Sequence, residues 1–228
     1  MALGHCPLCR GRRVFVRLRK DEIAARCLSC QASPITLSIV AALHHWVPEL
    51  QQCHAYELSA RGRLVDYLQR HAGKLTGSEF FDGIAPGQWQ DGVQCQDVQA
   101  LTYADTSFDV CTSTEVLEHV PNDAQAMREL FRVLRPGGTL LFTVPLSLGE
   151  PTVERAVQTE DGDIRHWLPP EYHIDPIRAH GRVLAFRNYG HAIVDRLLEA
   201  GFAEAVIHHP PELPWQYQRP VVVACKGG

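Results

Sequence analysis

The sequence predicts an α/β fold with a doubly wound sheet, preceded by a small separate module. Three observations carry that prediction. From His54 onward, apolar runs of strand length alternate with runs spaced for amphipathic helices, the order that a parallel sheet with crossover helices requires. Before His54, two Cys-x-x-Cys pairs stand within the first 30 residues. The chain has 228 residues, 45% hydrophobic and 21% charged, which suits one main domain plus a small module.

The module comes first. Cys6-Pro7-Leu8-Cys9 and Cys27-Leu28-Ser29-Cys30 are separated by 17 residues. Each pair can turn two thiolates toward one ion, and two pairs complete a tetrahedral four-cysteine site. Val14 to Arg19 between them alternates as a strand does, so residues 1–33 read as a zinc ribbon with Cys6, Cys9, Cys27 and Cys30 as ligands. A pair of disulfides is the competing reading, and a reducing compartment disfavours it. Ribbons often carry Gly directly after the second cysteine of a knuckle; Arg10 and Gln31 stand there instead. Cys53, Cys95, Cys111 and Cys225 lie in or beside apolar segments and read as core thiols.

Ser33-Pro34 can open a helix over residues 35–46, since proline is tolerated in a first helical turn, and Val47-Pro48 breaks it. Residues 34–50 then link the module to a main domain over 51–228. In that domain, strands are expected at 54–58, 75–81, 92–96, 108–113 and 139–144, with a closing pair at 203–208 and 220–225. Leu64, Val65 and Leu68 space a helix over 62–70. A second helix over 122–134 places Ala124, Met127, Leu130, Phe131 and Leu134 on one face, and Pro136-Gly137-Gly138 is expected to stop it. A third is expected over 191–200. Residues 146–188 show no regular pattern, and a segment of that length inside a domain is usually a lid or binding loop.

Charge is unevenly spread. Residues 1–30 hold Arg10, Arg12, Arg13, Arg17, Arg19, Lys20 and Arg26 against Asp21 and Glu22, a balance of +5. With −4 overall, the remainder carries −9. A basic end on an acidic body can guide a polyanion, and equally can be a solvated strand face. No apolar run is long enough to span a bilayer, and the first residues lack the pattern of a signal peptide. A cytoplasmic protein with no membrane partner is expected.

The stretch from Leu101 to Pro145 carries a resemblance. Ser107-Phe108-Asp109-Val110, Glu115-Val116-Leu117-Glu118-His119-Val120-Pro121 and Arg135-Pro136-Gly137-Gly138 follow one another as strand, loop, helix, turn and strand. The stretch is similar to the second half of a class I S-adenosylmethionine (SAM)-dependent methyltransferase, here of a bacterial subgroup with an N-terminal four-cysteine zinc ribbon. The resemblance implies a Rossmann-like methyltransferase sheet, SAM as cofactor and a transferase activity.

It also implies site residues. Glu57, Ser59, Arg61 and Gly62 fall at the turn after the first strand, which in the family approaches the methionine part of SAM. Glu79 follows the second strand, where an acid takes the ribose hydroxyls. Asp97 and Val98 follow the third, at the adenine end, and Ser113 and Thr114 follow the fourth. The first turn departs from the family's Gly-x-Gly-x-Gly: Ser59, Arg61 and Arg63 occupy the glycine positions and Gly62 is displaced by one. Arg61 is expected either to pair with the SAM carboxylate or to begin a solvated helix face.

Methyl transfer from a sulfonium is a direct displacement, so the protein mainly aligns the groups and excludes water; a base is needed only where the acceptor must lose a proton. His119, with Glu115 as a similar candidate, falls at the pocket mouth as base or as structural support. Tyr172, His173 and Asp175, in the polar segment 169–176, are the acceptor-side candidates beside His119. The expected acceptor is a small molecule or glycan-like compound. RNA held by the basic ribbon is the alternative, although no Asn-Pro-Pro-aromatic motif follows the fourth strand. A non-catalytic protein with a degenerate SAM site is the third reading.

Overall fold

The computed structural model describes residues 1–19, 24–175 and 181–228; Lys20, Asp21 and Glu22 of the basic module and Pro176 of the polar segment lie outside them. The chain opens with β1 (Ala2–Cys6), β2 (Gly11–Arg17) and β3 (Ala25–Cys27), an antiparallel sheet in the order β1-β2-β3. Its apolar interior is small: Phe15, Cys6, Cys27 and Ala32 pack against Leu37 and Leu213. Leu37 belongs to α1 (Pro34–Trp46), so the ribbon completes its core with the following helix and a C-terminal segment. Ser33 caps that helix, its hydroxyl accepting from the Thr36 amide at 3.4 Å, and Pro34 sits in the first turn.

Then come β4 (His54–Glu57), α2 (Arg63–His71), β5 (Lys74–Glu79), β6 (Trp89–Gln90), β7 (Val93–Cys95), β8 (Phe108–Thr114), α3 (Asp123–Val133) and β9 (Leu134–Thr143). Short strands follow: β10 (Val153–Glu154), β11 (Ala156–Gln158), β12 (Ile164–His166), β13 (Tyr172–Ile174), β14 (Arg182–Leu184) and β15 (Arg187–Asn188). The chain closes with α4 (Ile193–Glu199), β16 (Glu204–His208) and β17 (Val221–Cys225).

The described residues build an eight-stranded sheet in the order β16-β17-β9-β8-β4-β5-β7-β6. Strands β4, β5, β7, β8 and β9 run parallel, while β17 is antiparallel to both its neighbours. Strand order reverses at β4: β5 and β7 continue to one side, β8 and β9 to the other. A ligand crevice belongs outside the carboxyl ends of β4 and β8, where the two directions part. Alternate residues serve opposite faces. Tyr56, Cys111, Leu140 and Phe142 pack with α3 and α4, whereas Ala55, Val110, Leu141 and Val223 pack with α1 and α2.

Four expectations are corrected. The buried face of α3 is Ala126, Met127, Leu130 and Val133, with Ala124 and Phe131 only partly covered. Both stripes have helical spacing, and packing against α4 and β9 selects between them. Helix α3 ends at Val133, before Pro136-Gly137-Gly138, which lies inside β9 as a bulge of residues 135–138 opposite Asp109. Gly137 has φ +77°, and a Cβ on Gly138 would stand 2.8 Å from the Arg135 carbonyl oxygen. Trp89 and Gln90 form the edge strand β6, which two exposed residues do not announce. The described residues of 146–188 form short strands among loops: β11–β12 and β13–β14 are antiparallel pairs, and β10 pairs with β15. No helix among the described residues is long and apolar enough to cross a membrane.

Candidate functional site

A cavity of about 440 Å³ opens at the predicted crevice. Leu58 and Ser78 from the ends of β4 and β5, Asp97 and Val98 after β7, and His119 after β8 line it. Ile164, Arg182 and Phe186 from residues 146–188 line it as well. A larger cleft of about 580 Å³ lies between the ribbon (His5, Arg10) and the α1–α2 pair (His44, Tyr67), on the side of the sheet where β4 begins. It lies away from the strand ends where α/β sheets bind ligands.

Asp97 and Val98 face the cavity. The Asp97 carboxylate accepts from the Gln99 amide at 2.9 Å, and Gln99 in turn accepts from the Asn122 amide at 2.9 Å, which fixes this wall to the start of α3. Glu79 sits beside the first turn: its Oε1 accepts from the Ser59 hydroxyl at 2.6 Å and from the Ala60 amide at 2.9 Å. Gly77 makes that contact possible, because a Cβ there would lie 3.0 Å from the Ser59 carbonyl oxygen. The substituted glycine positions are thus replaced by a turn latched onto β5. Arg61 and Gly62 are exposed on that turn, and Gly62, at φ +108°, precedes α2.

Glu57 points into the sheet. It is 1% exposed and accepts a short hydrogen bond from the Thr112 hydroxyl. Burial pushes its carboxyl up to about 8, against the Thr112 bond that lowers it, with Glu79 adding repulsion. Ser113 is fully buried, and its hydroxyl makes no hydrogen bond; Thr114 pairs with Thr143 at the ends of β8 and β9. Glu115 follows with φ +54°, and Arg219 pairs with its carboxylate at 2.8 Å. A non-glycine residue held in the left-handed region at a strand end is local strain of a kind that clusters at functional sites.

The insertion brings His173 to His119. His119 Nε2 and His173 Nδ1 lie 3.2 Å apart, although 54 residues separate them. Glu118 Oε1 stands 3.6 Å from His119 Nε2 and 3.8 Å from His173 Nδ1. The Glu118 carboxylate is 1% exposed, and neither oxygen has a hydrogen bond. Burial, then repulsion from Glu115, pushes it up to about 8. Tyr172 does not join them. Side chains alternate along β13, so Tyr172 and Ile174 face outward, 53% and 87% exposed, while His173 faces in. Asp175, half-buried, is the first residue after that strand.

Sequence reasoning missed the residue that anchors this arrangement. Arg187 is 3% exposed. It donates to the carbonyls of Leu117 at 3.2 Å, Val120 at 2.6 Å and Pro121 at 2.7 Å, and to Glu154 at 3.1 Å. It ties the loop carrying Glu118 and His119 to the insertion. Glu154 and Asp123 also bind Arg196, and Asp123 accepts from Tyr189 at 2.8 Å. An arginine among several in the chain gives no sequence signal for such a role.

The four ribbon cysteines converge. Their sulfurs all lie within 4.8 Å of one another, with Cys6–Cys30 at 3.7 Å and Cys9–Cys27 at 4.0 Å. Thiolates ~2.3 Å from a tetrahedral ion stand ~3.8 Å apart, so the spacing fits zinc. The Cys9 amide donates to the Cys6 sulfur at 3.4 Å, and Arg10 and Gln31 take φ +51° and +60°, the left-handed turn that glycine serves in other ribbons.

Comparison with known proteins agrees with this geometry. Residues 57–142 match the family described as a methyltransferase domain. The ubiquinone biosynthesis O-methyltransferase of Coxiella burnetii is 33% identical over 90 residues, covering 36% of this chain and 38% of that protein. An uncharacterized methyltransferase of Mycobacterium avium is 46% identical over 50 residues, 22% of this chain and 20% of that one. The matches thus span well under half the length of these relatives. Among solved structures, the 1,6-didemethyltoxoflavin-N1-methyltransferase of Burkholderia thailandensis superposes with a TM-score of 0.55 at 18% identity, covering 85% of this chain and 79% of that one. A SAM-dependent methyltransferase from Mesorhizobium loti gives 0.51 at 18% identity, covering 82% and 96%. These likenesses establish the fold. Residues 57–142 thus match a methyltransferase domain, and the sheet order and the crevice at its switch point agree with that match.

Proposed function

We propose that this chain transfers a methyl group from SAM to a small-molecule or glycan-like acceptor held beneath the 146–188 insertion. The observation that carries this reading is that Asp97 and Val98, on the cofactor side, and His119, on the acceptor side, line one cavity at the switch point of the sheet. The partnerless, buried Ser113 hydroxyl near the end of β8 fits the cofactor's methionine end. Glu79, held beside the first turn, would receive the ribose, and Asp97 with Val98 the adenine. The chemistry supplied by bound SAM is an activated methyl on a sulfonium. The protein's residues hold the two substrates in line and exclude water, and the insertion serves as the cover. The cover favours a compact acceptor over a polynucleotide, which would need an open groove. The four cysteines would hold a structural zinc that supplies the ribbon's folding energy.

Calorimetry with S-adenosylhomocysteine tests the cofactor site. Wild-type protein is expected to bind it, and Asp97→Ala to bind at least ~10-fold more weakly, about 1.4 kcal/mol. A wild-type chain with no detectable binding at millimolar ligand would favour the non-catalytic reading instead.

A further inference from the structure

The cluster at the acceptor end of the cavity has hydrogen-bonding constraints that identify what it is built to hold. His119 Nδ1 lies 2.8 Å from the Leu184 carbonyl oxygen. A carbonyl only accepts, so the ring's proton sits on Nδ1 and Nε2 carries a lone pair. His173 Nε2 lies 3.2 Å from the Glu171 carboxylate, which fixes the proton there and leaves the lone pair on Nδ1. These two inner nitrogens face each other at 3.2 Å. Beside them stands the Glu118 carboxylate, almost completely buried and without a hydrogen-bond donor. Two imidazole lone pairs and a buried carboxyl oxygen, which a bound cation would hold ionised, thus converge on one point, and the outer partners prevent either neutral ring from turning its N–H inward.

We propose that Glu118, His119 and His173 bind a divalent first-row transition-metal ion at the acceptor end of the cavity. The three ligand atoms lie within 4.8 Å of one another. Ligands ~2.1 Å from an ion stand ~3.0 Å apart at octahedral angles and ~3.4 Å apart at tetrahedral angles. The nitrogen pair, at 3.2 Å, falls in that range, and the carboxylate edges of 3.6 and 3.8 Å need to close by a few tenths of an ångström. Two imidazoles and one carboxylate suit Mn²⁺, Fe²⁺, Co²⁺ or Zn²⁺ and leave coordination positions open. Leu184 and Glu171 supply the outer hydrogen bonds that metal-binding histidines need. Arg155 holds Glu171 in turn at 3.3 Å. The open positions belong beside the cavity that His119 lines, so the ion would take oxygen donors of the acceptor and select acceptors that carry them. That selecting role rests on the methyl-transfer reading; metal binding itself does not.

The test is a metal count on the full-length chain, kept zinc-loaded at the ribbon and dialysed against Co²⁺. Wild type is expected to hold two metal ions per chain, with the second showing cobalt d–d absorption free of thiolate charge transfer, or remaining as a resident zinc. Glu118→Gln and His173→Ala are expected to hold one, with Co²⁺ affinity reduced at least ~10-fold. If wild type holds a single ion, the cluster shares a proton instead and the proposal is overturned. Two ions per chain in both variants overturn it as well. Should Glu118→Gln fail to fold by circular dichroism, His173→Ala decides alone, because its ring sits on a short hairpin outside the main sheet. Binding of S-adenosylhomocysteine without a second metal ion defeats this proposal and leaves the cofactor site standing.

Discussion

Two clusters of potential metal ligands in this chain were assembled by different means. The ribbon draws its four sulfurs from two knuckles, each with two residues between its cysteines and held by short antiparallel pairings. The Glu118–His119–His173 cluster draws on a loop after β8 and a hairpin 54 residues later. In the first, local spacing dictates the geometry. In the second, the geometry exists only because the insertion folds back, with Phe186 donating to the Glu118 carbonyl at 2.8 Å and Arg187 gripping the same loop. The local cluster is set by the spacing of its cysteines along the chain, whereas the long-range cluster depends on the fold to exist.

The largest expected effect separates these two dependences. Cys27→Ser should lose the ribbon's zinc and destabilise the protein by several kcal/mol, ~3 or more, because Phe15, Leu37 and Leu213 share the ribbon's small core. Element analysis and thermal unfolding measure it. Unchanged zinc content and unchanged Tm in that variant would end the zinc reading.

Next comes Arg187→Ala, expected to cost about 3 kcal/mol, since it strips donors from three loop carbonyls and leaves Glu154 without one of its two arginines. Hydrogen exchange should show residues 117–121 and the insertion losing protection together, with the ribbon unaffected. Protection lost in the ribbon as well would mean that the two regions are not independent.

The smallest effect sharpens the comparison of two buried acids. Glu57 and Glu118 are each pushed up to about 8 by burial, but Glu57 has the Thr112 hydroxyl and Glu118 has no donor. Glu57 has an ordinary value of 4.5, so the folded state retains a proton that the unfolded state has lost between about pH 4.5 and 8. Stability therefore falls as pH rises through that window. Glu57→Gln removes the titration, and its stability relative to wild type should rise by more than about 1 kcal/mol from pH 5 to pH 8. Urea unfolding at a series of pH values reads this directly, and a flat difference would place Glu57 in contact with water.

Much of the sheet was legible because its strands are short, apolar and punctuated, while their spatial order, and with it the switch point, came from the tertiary structure. Asp97 and Val98 were placed on the cavity by position alone. Tyr172 was not, because a dense run of polar groups says nothing about which face of a hairpin each residue takes. His173 entered and Tyr172 left through the twofold alternation of β13, once its pairing with β14 set which face turns inward. The displaced glycines after β4 read as a possible defect. They are accommodated by a hydrogen bond from Ser59 to Glu79 and by the bare backbone at Gly77, neither of which a motif encodes.

By itself, the sequence determined the alternating α/β order, the four-cysteine spacing and the acidic positions at the strand ends, since each depends on neighbours within a few residues and on the periods of strand and helix. Only the tertiary structure decided that Glu118, His119 and His173 meet, that Arg187 holds them there and that Glu57 turns inward. Those outcomes depend on contacts between segments 33 to 70 residues apart, and such contacts are selected by packing and hydrogen-bond satisfaction rather than by local propensity.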